Sequence, residues 1–224
     1  MFEITSVPLR KLLMLASWLV LQFVGSARAD VEITVRGSAA FLHSTRLIAG
    51  DENTFLQFLH SPDADRVRII YLDSLGGSPP VAMAIGRLIR ERGLDTAYHV
   101  GHGRCVSACT NVFLGGVHRY YIGGKNVADG IATHVGLGFH PSHGGEAIED
   151  RVVAYFSEMG VPRAADLRYK VYPRDFVLTD TTGTNERGDP KQYKLFFVSG
   201  ERALKVGVAT SLGEPAESNM RDEQ

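Results

Sequence analysis

The chain has 224 residues, 44% of them hydrophobic and 22% charged, with a formal net charge of −1. That suffices for one domain with a sizeable core plus a short extra segment. The near-zero charge excludes electrostatic attraction to nucleic acid or to anionic lipid as the chain's main business. There is no internal repeat and no low-complexity tract.

Arg10 and Lys11 are followed by LLMLASWLVLQFVG (12–25), which carries no charge, and then by SARAD, with an A-x-A site at Ala27 and Ala29. A basic, then apolar, then small-residue order predicts a secretory signal peptide over residues 1–29, cut before Asp30. The alternative is a retained anchor, for which about 14 apolar residues are short against the roughly 20 that span a bilayer. The predicted location is periplasmic or secreted after cleavage, and membrane-anchored if the signal is retained.

VEITVRG (31–37) alternates as a strand does, and GDENTFLQFLHSP (50–62) reads as a helix with Asp51 as a possible cap. RVRIIYLDS (66–74) is a β-branched strand ending at Gly76-Gly77. The following SPPVAMAIGRLIRERG (78–93) has Ser78 to cap it, prolines in its first turn and Gly93 to stop it. DTAYHV (95–100), RYYI (119–122) and LGFH (137–140) read as short strands, and residues 146–160 as an amphipathic helix. TDTTGTNERGDPK (179–191) is expected to be a polar loop. YKLFFVSGERALKVGVAT (193–210) is expected to give strand, Ser199-capped helix, glycine and strand. Strand–helix alternation with short connections predicts an α/β domain over residues 30–212 with a largely parallel sheet. The tail, residues 213–224, is polar and expected to be disordered.

The chain's two cysteines, Cys105 and Cys109, bracket a serine in GRCVSACTNVF (103–113). In an oxidising compartment such a pair reads as a disulfide sooner than as a redox couple. Two sulfurs alone cannot close a tetrahedral zinc site. H-x-x-H occurs at His99/His102 and His140/His143, with His134 nearby, but no carboxylate stands at the H-E-x-x-H spacing, so no metal is assigned.

YLDSLGGSP (71–79), then GRCVSACTNVFLGG (103–116), then LGFH, then VSGERALKVGVAT (198–210) together resemble the Clp-protease/crotonase superfamily, and within it secreted Clp-protease-like proteins of bacteria. The resemblance covers roughly residues 31–210. It implies a ClpP/crotonase-like α/β fold, a largely parallel sheet of ββα units covered by helices. It places Ser107 at the nucleophile, His140 at the general base, and the Gly76 and Ala108 N–H groups at the oxyanion hole. The acid falls on a weakly matching loop, where Asp189 and Asp180 are the candidates. Asp73 and Leu75 stand where Asn and Pro are common, and GGKNVADGIATHV (123–135) lengthens the serine–histidine interval. The superfamily's serine–lysine pair finds no counterpart at Lys125 or Lys170.

The residues make chemical sense together. A serine hydroxyl becomes a nucleophile when a base within about 2.6–3.2 Å takes its proton, and an imidazole can both take and return it near neutrality. Glycines let a main-chain donor approach a substrate without a Cβ in the way. Equally, a serine among small residues can be packing or a helix cap, and His140 can be a core histidine. Two functions follow as expectations. One is an exported, ATP-independent serine peptidase acting on peptides or unfolded protein, without a cofactor or an ATPase partner and with self-association possible. The other is an inactive Clp-protease-like binding or scaffold protein. Acyl-CoA chemistry shares the oxyanion hole but suits an exported chain poorly.

Overall fold

A computed structural model of the protein describes residues 29–130, 135–140, 146–165, 178–184, 190–193 and 195–216. The signal expected over 1–29 lies outside them except for its last residue, as do His134, His143, Lys170 and Asp189.

Strands β1 (Glu32–Arg36) and β2 (Ala39–Ser44) form an antiparallel hairpin, reversed at Gly37, whose φ of +56° suits glycine. β2 was not expected from the sequence. It pairs in parallel with β3 (Ile69–Ser74), register Ala39↔Ile69 through Ser44↔Ser74. Between them lies α1 (Asp51–Leu59). Asp51 is not its cap. Gly50 holds the cap position at φ +104°, and the buried Asp51 carboxylate instead accepts N–H bonds from Asp30, Val31 and Ile48 at 2.8, 3.1 and 2.7 Å. A carboxylate taken out of water needs such donors.

Helix α2 (Pro79–Glu91) buries Val81, Ala82, Ile85, Gly86 and Ile89. Its two starting prolines lack only N–H groups that a first turn leaves unbonded. Ser78 stands at its cap without a side-chain cap bond, and Gly93 at φ +66° follows its end. β4 (Asp95–His99), β5 (Cys105–Val106), α3 (Cys109–Leu114), β6 (Arg119–Ile122), β7 (Leu137–Phe139) and α4 (Glu146–Glu158) follow. Every residue of α3 is buried. Arg90 reaches from α2 to close its end, donating to the carbonyls of Leu114, Gly115 and Gly116 at 3.0, 2.8 and 2.8 Å. Arg90→Ala should therefore lower stability by about 2–3 kcal/mol, the scale of charge-assisted bonds lost from carbonyls that water reaches poorly. A fall in the urea midpoint with unchanged slope checks it.

The segment expected as a polar loop is instead a two-stranded antiparallel ribbon, β8 (Leu178–Thr184) and β9 (Pro190–Tyr193), with a register shift between Asp180 and Thr184. β10 (Phe196–Val198) and α5 (Gly200–Lys205) close the domain, and Ser199 Oγ accepts the Arg202 N–H at 3.2 Å as the expected cap. The final strand expected within 193–210 does not form. The chain there makes a single bridge, Tyr120↔Ser211, to the edge of β6.

The main sheet is largely parallel: among the described strands only β1–β2 and β7–β10 run antiparallel in it. It forks at β3. The first half, Ile69 to Tyr71, pairs with β4, which continues to β6. The last residue, Ser74, pairs with Cys105 of β5, which continues to β7 and β10. Even-numbered β3 residues, Ile70, Leu72 and Ser74, are buried, while Tyr71 and Asp73 are half-exposed. The fork sets the Gly76-Gly77 turn after β3 beside the turn after β5.

Candidate active site

Ser107 is the first of the two residues, Ser107-Ala108, that step from β5 to α3. Its φ of +56° makes it the only non-glycine residue with positive φ among the described residues. Such a conformation is costly for a side-chain-bearing residue and persists where its surroundings over-determine it. Here they do. The Ser107 N–H extends the β5–β7 ladder to the Gly138 carbonyl at 2.8 Å, and the Ser107 carbonyl accepts from the Thr110 N–H and hydroxyl at 3.1 and 2.6 Å. The Cys105–Cys109 disulfide closes the same turn, with Cα atoms 5.2 Å apart. The bridge joins a strand to the first residue of a helix across the serine, rather than two positions of one helical turn.

β7 lies parallel to β5 with Val106 opposite Gly138. His140 follows β7 directly, and its Nε2 is 2.6 Å from Ser107 Oγ. With the ring proton on Nδ1, Nε2 accepts the serine proton. Both residues are half-buried at the end of the sheet.

Gly76 completes the cluster. A Cβ placed on it would lie 2.6 Å from the Val106 carbonyl oxygen, 2.7 Å from the Ala108 nitrogen and 2.7 Å from Ser107 Cβ, so only glycine brings this backbone against the serine turn. Its φ is +92°. The Ala108 N–H meets no acceptor among the described residues, whereas the Gly76 N–H donates to Ser74 Oγ at 3.1 Å. Leu75, between them in sequence, packs on Val106, Leu195 and Phe197 and forms an apolar flank.

Of the acid candidates, Asp189 lies outside the described residues, and Asp180 is described only as a backbone position in β8 opposite Lys191. His99 and His102 meet edge to face with ring centres 4.1 Å apart, and His99 Nε2 lies 3.7 Å from a Glu214 carboxylate oxygen. Among the described residues no group of three or more His, Cys, Asp or Glu side chains is placed to hold a metal ion.

Two residues around the site escaped sequence reasoning as contributors. Asp73 Oδ1 accepts the Arg104 N–H at 2.8 Å and its Oδ2 contacts His43 Nδ1 at 2.9 Å, tying β2 and β3 to the segment that leads into Ser107. Ser74, buried to 2% exposure, holds the Gly76 N–H. The departure from Asn at position 73 was the available signal for the first. For the second there was none, because a serine at a strand end resembles any turn residue.

Three solved structures are similar to this chain over most of its length. One is a point mutant of the 1510-N membrane-bound stomatin-specific protease in complex with a substrate peptide, at 15% identity, with 80% of this chain and 74% of that chain covered and a TM-score of 0.45. A ClpP1 point mutant from Listeria monocytogenes gives 13% identity, 81% and 94% coverage and a TM-score of 0.48. Methylmalonyl CoA decarboxylase complexed with 2S-carboxypropyl CoA gives 12% identity, 88% and 72% coverage and a TM-score of 0.47. Neither a protein family nor a curated protein sequence matches the chain.

The disulfide's contribution is testable without an activity assay. Closing so short a loop restrains the unfolded chain by about 2 kcal/mol. The doubly substituted Cys105→Ala, Cys109→Ala protein should lose roughly that much in urea unfolding. A loss near zero would show that the turn is held by its hydrogen bonds alone.

Proposed function

We propose that the protein is an exported serine peptidase that works without ATP, with Ser107 as nucleophile and His140 as general base. The observation that carries this reading is the 2.6 Å contact between Ser107 Oγ and His140 Nε2, made by a serine held at positive φ on a strand-to-helix turn. A core histidine bonded to a capping serine would need neither the strained backbone nor a neighbouring N–H that meets no acceptor among the described residues.

The chemistry follows from the geometry. Ser107 Oγ attacks the carbonyl carbon of a peptide bond as its proton passes to His140 Nε2. The carbonyl oxygen becomes an oxyanion beside the Ala108 N–H, with the Gly76 N–H as the second donor; an essential donor of this kind lowers the barrier by roughly 2.7–4 kcal/mol. His140 returns the proton to the leaving amine, and the C–N bond breaks to leave an acyl-serine. Water, giving a proton to His140, then attacks the ester and frees Ser107. The carboxylate that orients the His140 ring is Asp189 or Asp180 in this reading. The half-buried site suits an extended peptide or an unfolded segment better than a folded protein surface, and the leader expected over residues 1–29 favours a reaction in the periplasm or beyond.

The test is incubation of the purified, non-reduced protein with unstructured fluorogenic peptides in the absence of nucleotide. Turnover that falls on acidification, as the imidazole takes up a proton, is the expected result. No turnover and no labelling by a fluorophosphonate between about pH 6 and 9, the range in which a histidine base is competent, would leave the inactive scaffold as the function.

A further inference from the structure

The two donors at the site are not equivalent. The Ala108 N–H meets no acceptor among the described residues, but the Gly76 N–H is engaged by the hydroxyl of Ser74, two residues back, at 3.1 Å. Ser74 cannot easily move away as a whole. It is buried to 2% exposure, its own N–H donates to the Arg104 carbonyl at 2.6 Å, and it is the sole residue of β3 paired with β5, at the fork of the sheet. Gly76 in turn is wedged against Ser107 and Ala108 with no room for a Cβ. The backbone on both sides of this hydrogen bond is therefore fixed, while the hydroxyl turns about one side-chain bond.

We propose that Ser74 is a positioning residue that reserves the Gly76 N–H for the transition state. The inference rests on the peptidase reading above and deepens it. A substrate's neutral carbonyl competes with the Ser74 hydroxyl on even terms and gains little by displacing it. An oxyanion is a much stronger acceptor, because hydrogen bonds to ionised groups are roughly twice as strong as neutral ones. The second donor is thus won only as charge develops on the carbonyl oxygen. Interactions made in the transition state and withheld from the ground state raise kcat rather than tighten substrate binding.

Steady-state kinetics of Ser74→Ala on a peptide substrate test this. With the hydroxyl gone, the Gly76 N–H is free for the substrate carbonyl. KM should fall by about 3- to 10-fold, the worth of one neutral hydrogen bond, with kcat no higher than in the wild type. Ser74→Thr, which keeps the hydroxyl, should retain the wild-type KM. A merely structural Ser74 would instead lower kcat at constant or raised KM in the folded alanine variant, and that result overturns the proposal. In case the alanine variant does not fold, amide exchange of Gly76 in the unmodified protein gives a second reading. Protection well above that of an open turn is expected, and exchange at the rate of an exposed loop overturns the proposal. Failure of the underlying peptidase reading looks different: the wild type itself neither turns over peptide nor takes up a fluorophosphonate, and the gate falls with it.

Discussion

Ser107→Ala should reduce peptide hydrolysis by about four to six orders of magnitude, the loss typical of removing a serine nucleophile whose partners act as a unit. Stability should change little, by about 1 kcal/mol or less, as for a substitution that breaks no buried network. The structural reason for expecting the two effects to separate is that the turn is held by main-chain groups. The ladder bond to Gly138 and the two bonds from Thr110 use the Ser107 N–H and carbonyl, and alanine keeps both. The Cβ that suffers from a φ of +56° is also the same in the two proteins. What alanine removes is the oxygen 2.6 Å from His140. Thermal unfolding beside a peptide assay checks both halves. A variant that unfolds early would make Ser107 a structural cap, and a variant that stays active would remove it from the chemistry.

The second large effect belongs to Gly76→Ala. Its new methyl would press on the Val106 carbonyl, the Ala108 nitrogen and Ser107 Cβ at 2.6–2.7 Å, and the φ of +92° is one that side chains resist. None of these neighbours is a flexible side-chain tip, so the turn after β3 must retreat from the turn after β5. Overpacking and strained backbone together cost about 2–5 kcal/mol. Activity should fall by at least 100-fold, because the main-chain donor withdraws from the oxyanion along with the turn. The urea midpoint and kcat of the variant are the measurements. Near-normal activity would show that the Gly76 N–H has no part in the reaction.

Those two predictions use features that differ in how readable they were. The strand–glycine–helix punctuation around 66–93 could be read directly, because β-branched runs, paired prolines and Gly-Gly each impose a local geometry. The association of residues 76, 107 and 140 came from a family-like order of blocks, and the fork at β3 is what brings them together physically. No local signal encodes a fork. It arises because β3 offers its first half to β4 and its last residue to β5. β2 was missed for a related reason: AAFLHS has weak strand propensity at its alanines, and pairing on both sides, with β1 and β3, makes it a strand. TDTTGTNERGDPK carries turn residues throughout, yet part of it pairs across the β8–β9 ribbon, where threonines suit a pleated surface. Asp51 looked like a cap because Asp before an apolar run usually is one. Its burial against the amides of Asp30 and Val31 depends on a contact twenty residues away that the local pattern does not contain.

The disulfide and the strained serine explain each other better than either stands alone. Three hydrogen bonds to the Ser107 main chain, one of them from the Thr110 hydroxyl, and one covalent bridge converge on a five-residue turn whose middle residue is in an unfavourable conformation. A turn needed only to join β5 to α3 could place glycine there and relax. Retaining a hydroxyl-bearing residue at that position, with the imidazole of the next strand in contact, is what a nucleophile requires.

The most direct measurement is mass mapping of the adduct left by a fluorophosphonate on the intact, non-reduced protein. A single covalent modification on Ser107, absent when His140 is replaced by alanine, is the predicted result. Modification of any other residue, or none while the protein remains folded, would contradict the assignment of this turn as the catalytic centre.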